Sequence, residues 1–162
     1  MKFRRPALPL RHPASLLATW FGAGLLPWAP GTWGSLAALP LAWALGLAGG
    51  AWALIAAAVV IALIGWWASA VYLRRSEVDD PGEIVVDEVA AQLIVLAPTA
   101  GEPLLLLLGF AVFRVFDIAK PWPVSWADRK LGGGLGVMAD DLFAALYGVA
   151  IMAALMPLLG GP

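Results

Sequence analysis

The 162-residue chain contains no cysteine, which excludes disulfides, thiolate metal sites and cysteine nucleophiles. It has one histidine, His12, placed in a basic surface segment, so chemistry that needs a pair of imidazoles is excluded as well. Charge is scarce: Asp, Glu, Lys and Arg make up 13% of the residues, against roughly 25% in an ordinary soluble domain. A net charge of −1 offers nothing to a nucleic-acid backbone. No D-x-D-x-T nucleophile motif occurs, and GGGLG at 132–136 follows no strand, so it is not a Walker-type phosphate loop. The basic start (Lys2, Arg4, Arg5, Arg11) runs into Pro13 rather than a signal core, so no cleavable signal is expected.

What fills the chain instead is apolar: 62% hydrophobic residues, a mean hydropathy of +0.86 and nine tryptophans. These values predict an integral membrane protein with one domain over 1–162 and no separate soluble module, its tryptophans anchoring it at the interfaces.

Taken in order, Pro13 predicts a short interfacial helix over 13–22, after a proline-broken surface segment. GAGLLPWAPGTWGS (22–35) reads as a shaped loop entering a helix near Ser35. Apolar runs at 36–48 and 51–73 predict a helical hairpin turning at Gly49-Gly50. A polar loop, 74–87, precedes a helix over 88–97; PTAGEP breaks it, and a further helix runs over 104–118. The stretch 125–141 reads as a glycine-rich surface loop before a last helix over 140–158. The expected fold is therefore all-α: a polytopic membrane helical bundle with short or re-entrant helices and an interfacial N-terminal helix.

Turning the chain back at PTAGEP puts all ten Lys and Arg on the side of the N-terminus, and leaves only Glu102 of the eleven acids on the other. By the positive-inside rule the charged side is cytoplasmic. The ten residues of 88–97 give roughly 15 Å of helix against a ~30 Å hydrocarbon core, so that hairpin is short or re-entrant.

Charge enters the apolar sequence at FRVFDIAKPWPV (113–124), where Arg114, Asp117 and Lys120 recur every third residue and share a helix face. Charges at membrane depth persist mostly where they line a site. Arg114 and Lys120 suit phosphate oxygens; equally, they could pair with Asp117 and snorkel to the interface. Two acidic pairs, Asp87-Glu88 and Asp140-Asp141, each open a predicted helix, with Asp80 and Asp117 nearby. Singly, such pairs read as helix caps. Together they offer hard oxygen ligands that select Mg²⁺ or Mn²⁺ and could activate a water. Asp87, Glu88, Asp140 and Asp141 are the candidate metal ligands, and Asp80 and Asp117 further ligands or the base. Gly31, Thr32 and Ser35, at the start of a helix on the same side, present amides that could hold an anion or simply form a capped turn.

PGTWGSLAALP (30–40), DPGEIVVDE (80–88), FRVFDIAKPWPV (113–124) and GGLGVMADD (133–141), in this order and spacing, resemble the phosphatidylglycerophosphatase A family over nearly the whole chain. The resemblance implies a Mg²⁺-dependent phosphatase of the bacterial inner membrane, multi-pass, its site facing the cytoplasm. Its implied reaction converts phosphatidylglycerophosphate to phosphatidylglycerol and phosphate in phospholipid biosynthesis. Asp80, Asp87, Glu88, Arg114, Asp117, Lys120, Asp140 and Asp141 match the family's polar pattern, with catalytic roles for Asp80, Asp117, Arg114 and Lys120. One departure is Ala91, where family members usually carry glycine. The alternative from another class is a divalent-cation carrier or channel component, against which the one-sided charge argues.

Overall fold

A computed structural model describes residues 6–78, 81–99 and 101–159, and all its regular elements are helical. The α-helices are α1 (Pro13–Ala18), α2 (Pro30–Leu73), α3 (Val86–Leu96), α4 (Pro103–Ala119), α5 (Val124–Lys130) and α6 (Gly133–Leu155).

Helix α1 starts at Pro13 as the sequence suggests, capped by the half-buried His12, whose Nδ1 accepts from the Ala14 N–H at 3.2 Å. It ends at Ala18 rather than residue 22, because Trp20 and Phe21 take left-handed φ values of 46° and 56°. Helix α2 begins at Pro30, not near Ser35. Proline at the first helical position has its φ already set and lacks only an N–H that would go unpaired there, so PGTWGS forms the opening turns instead of a loop.

Gly49 and Gly50 leave helical geometry, Gly50 with φ 57° and ψ −148°, and split α2 into arms over 30–48 and 51–73. The arms fold back on each other. Gly34 and Gly65 stand about 46 Å apart along a straight helix, yet a Cβ on Gly34 would sit 2.7 Å from Val85 and one on Gly65 3.0 Å from the neighbouring Val86. Only a hairpin brings both backbones to one valine pair.

Helix α3 is the axis of the molecule, packed by α2, α4 and α6. Nine of its eleven residues are buried, which lets a helix about 16 Å long exist here without facing lipid along its length. Ala91 is fully buried in a cluster with Val95, Phe113, Ala144 and Ala145, so its methyl group is absorbed by packing against other alanines. After Thr99 the chain turns and α4 runs back alongside α3, as the break at PTAGEP implies.

The stretch 125–141 is not a loop. It holds α5 and the first two turns of α6, which starts at Gly133. Gly134 serves close packing: a Cβ there would meet the Ala70 nitrogen and the Trp66 oxygen of α2, each at 2.7 Å.

Two helical stretches, Pro30–Leu73 and Gly133–Leu158, are long and apolar enough to cross a membrane. The most apolar window of the first has a mean hydropathy of 2.5, but only 11% of it is buried. A helix that is apolar on its outside is suited to lipid rather than to the core of a soluble protein.

Candidate active site

The helix ends on one side of α3 enclose an open cavity of about 820 Å³, bounded by the start of α2, the end of α4, the segment after α2, α5 and the beginning of α6. At its base, Asp87 and Glu88 project from the first turn of α3, and the Glu88 N–H donates to Asp87 Oδ1 at 3.0 Å. Asp141 comes from α6, two turns in. Because α6 starts at Gly133, Asp140 and Asp141 cap nothing, and the capping reading does not apply to this pair. One carboxylate oxygen from each of Asp87, Glu88 and Asp141 lies within 4.8 Å of the other two. Asp87 and Asp141 are only 7% and 3% exposed.

Beside this triad, Arg114 and Asp117 form an ion pair one turn apart on α4. The Arg114 Nε and the Glu88 Oε2 are buried with no hydrogen-bond partner, while Arg114 Nη1 is the nitrogen paired with Asp117. Gly31 makes room for them, since a Cβ there would collide with the Glu88 carboxylate and stand 3.1 Å from Arg114 Nη1.

Lys120 departs from the expected stripe. Helix α4 ends at Ala119, and Lys120 forms its left-handed cap with φ 43°. Turned off the helix face, its ammonium bonds Asp128 and, at 2.8 Å, Asp140 Oδ2. Partial burial works against its charge, but the hydrogen bonds to these two carboxylates outweigh that and hold its pKa above the ordinary lysine value. Asp140, expected among the metal ligands, therefore faces Lys120 while its neighbour joins the triad.

Of the residues singled out from sequence, Gly31, Asp87, Glu88, Arg114, Asp117, Lys120, Asp140 and Asp141 all line the cavity. Thr32 and Ser35 do not, and the Ser35 hydroxyl donates to the Gly31 carbonyl at 2.9 Å, inside the helix. Asp80 lies outside the described residues. Asp128 was not legible: it stands eight residues from Lys120, across a turn, where no helix period relates them. Tyr72, equally unforeseen, does not line the cavity but braces the segments around it. Its buried hydroxyl accepts from the Ala7 N–H at 2.8 Å and donates to Glu83 at 3.1 Å, tying the N-terminal segment to the loop that leads into α3.

The charge balance says what the base of the cavity can hold. Five carboxylates, Asp87, Glu88, Asp117, Asp140 and Asp141, meet two cations there, Arg114 and Lys120, and among the described residues Asp87 and Asp141 have no ion pair. Burying an unpaired carboxylate costs several kcal/mol. A hard divalent cation between the triad oxygens fits both the deficit and the donor set. Arg114, with its Nε–H unpartnered at the edge of the triad, presents a charged donor suited to an anionic oxygen.

The family description Phosphatidylglycerophosphatase A matches residues 16–156. The chain is 37% identical over 147 residues to the phosphatidylglycerophosphatase A of Escherichia coli, covering 90% of this chain and 84% of that one. With the protein of the same name from Haemophilus influenzae it shares 40% identity over 152 residues, 91% of each. A relative from Bacteroides thetaiotaomicron, provisionally named a phosphatidylinositol-3-phosphatase, is 35% identical over 145 residues, 85% of this chain and 90% of the relative. No solved structure matches.

Proposed function

The chain belongs to the phosphatidylglycerophosphatase A family, and from that premise we propose that it hydrolyses the terminal phosphate of phosphatidylglycerophosphate at the cavity over α3, giving phosphatidylglycerol and phosphate for phospholipid biosynthesis. The observation that carries this reading is the buried triad of Asp87, Glu88 and Asp141 set against the unpartnered Nε–H of Arg114. The cation-carrier alternative finds no support among the relatives.

Asp87, Glu88 and Asp141 would hold Mg²⁺. When bound, the ion supplies countercharge to the carboxylates and Lewis acidity toward a phosphoryl oxygen or a water. Arg114 binds the phosphate through its free Nε–H, while Asp117, paired with Nη1, fixes the guanidinium plane. Gly31 keeps the approach to Glu88 and Arg114 open. Asp117, paired with Arg114 and next to Asp141, orients the attacking water and takes its proton. The water oxygen bonds to phosphorus, the bond from phosphorus to the glycerol oxygen breaks, that oxygen leaves as a hydroxyl by taking a proton from water in the open cavity, and Asp117 returns the proton it took to the same water. Lys120 is held between Asp128 and Asp140 and fixes both beside the site, and Arg129 and Lys130 supply the positive charge of the rim.

Location follows the same reading: a bacterial inner-membrane protein, multi-pass, with this cavity at the cytoplasmic headgroup level. Tags at the N-terminus and within α5 should both report the cytoplasm and a C-terminal tag the opposite side; an external α5 would overturn the topology. For the activity, purified protein in detergent should release phosphate from phosphatidylglycerophosphate, lose this on chelation and regain it with Mg²⁺. Undiminished turnover in excess chelator would remove the ion from the reaction, and no phosphate release under any condition would remove the phosphatase assignment.

A further inference from the structure

The cavity has two unlike margins. One is polar, with Ser76, Glu77, Arg129 and Lys130, and opens toward water. The other is the end of α4, where Ile118 lines the cavity although its side chain is 70% exposed. Ile118 stands one turn from Arg114 on the same face, the face that meets the start of α2 at Gly31.

Ile118 is also the last member of a stripe. Leu104, Leu107, Ala111, Val115 and Ile118, spaced three, four, four and three residues apart, are all exposed, the four larger ones by 73%, 56%, 61% and 70%. At 100° per residue they fall within an arc of about 80°, and Arg114 lies roughly 20° beyond its edge. The stripe is about 21 Å long, more than the ~15 Å that one leaflet contributes to a bilayer core. Other outward faces of the bundle are apolar too, such as Val59 and Val60 at 53% each, but those residues do not border the cavity. Two other exposed apolar residues line it: Val78, in a polar loop with no stripe behind it, and Ala29, at the start of α2.

We infer that the α4 stripe is the track on which an acyl chain of the lipid substrate lies, and that Ile118 is the point where the lipid passes sideways from the bilayer into the site. The inference rests on the phosphatase reading and adds the route: the phosphate reaches Arg114 between the end of α4 and the start of α2, and inorganic phosphate leaves by the polar margin. The chemistry fits one occupant. A diacyl lipid carries its anionic headgroup directly above its hydrocarbon, and here a cationic fork stands at the headgroup end of a hydrocarbon-facing stripe.

The test compares kcat/KM for diacyl phosphatidylglycerophosphate in mixed micelles with kcat/KM for its water-soluble, deacylated headgroup. In Val115→Gln/Ile118→Gln the ratio of the two should fall about tenfold, while the matched control Val59→Gln/Val60→Gln keeps the wild-type ratio. An unchanged ratio in the track variant, or an equal fall in the control, would overturn the route. If the track variant does not fold, wild-type protein in vesicles containing a phospholipid with a photoreactive acyl chain gives the second readout. Labelling concentrated at 111–118 supports the track; labelling spread evenly over α4 and the 51–73 arm overturns it. Wild-type protein that hydrolyses neither substrate would instead sink the phosphatase reading, and the route with it.

Discussion

The two acidic pairs look interchangeable in the sequence, but the fold uses them differently. Asp87-Glu88 sits in the first turn of α3, where both carboxyl groups reach the triad. Asp140-Asp141 sits two turns inside α6, where neighbouring side chains diverge by about 100°: Asp141 turns to the triad and Asp140 to Lys120. Asp87 and Glu88 diverge by the same angle, so a doubled acid is one site residue or two depending on what stands opposite each member.

Substitutions within the second pair should sharpen this contrast most. Asp141→Asn removes a triad oxygen's charge and should lower turnover by at least about 100-fold, more than loss of an outer-shell partner usually costs; Asp140→Asn should cost no more than about a tenth of that effect. Phosphate release and Mg²⁺ binding measured side by side would decide it, and equal losses would erase the distinction between the neighbours.

Arg114→Lys keeps the charge but loses the fork, and removing one charge-assisted hydrogen bond at roughly 1.5 to 3 kcal/mol corresponds to about ten- to a hundredfold in rate. Thermal stability in detergent should move far less than turnover. Wild-type turnover in this variant would reduce Arg114 to an ion-pair partner for Asp117.

Gly31→Ala tests the space between the pairs and the arginine. Its Cβ must displace the Glu88 carboxylate, and overpacking of this kind costs roughly 1 to 3 kcal/mol. Turnover should fall by about tenfold, and an alanine variant with normal activity would show that Glu88 is free to move aside.

Asp128→Asn should have the smallest effect, because a partly exposed ion pair contributes only about 0.2 to 1 kcal/mol. Since the Lys120 pKa is raised, the contribution of its pairing is full at neutral pH and is lost only in strongly alkaline solution. A pH titration of unfolding should show wild type and variant differing at pH 7 and converging at high pH. A gap that instead closes on acidification toward pH 5 would contradict the ammonium-based account.

Hydropathy and residue identity alone determined that the chain is all-helical, where apolar runs form helices, and that Gly49-Gly50 and the segment around PTAGEP turn the chain back. The polar residues were few enough in so apolar a chain that nearly every one that matters could be named. Helix starts were less legible. Glycine and proline signalled loops at 22–35 and 125–141, yet Pro30 suits a first helical position and Gly134 allows α6 to approach α2, so 30–35 and most of 125–141 are helix. Lys120 followed the three-residue spacing of its stripe, but the left-handed cap turned it to Asp128 and Asp140. Sequence spacing sets angles only while a helix lasts. Where it ends, and which buried carboxylate then meets which cation, is decided by the tertiary packing of α3 against α2, α4 and α6.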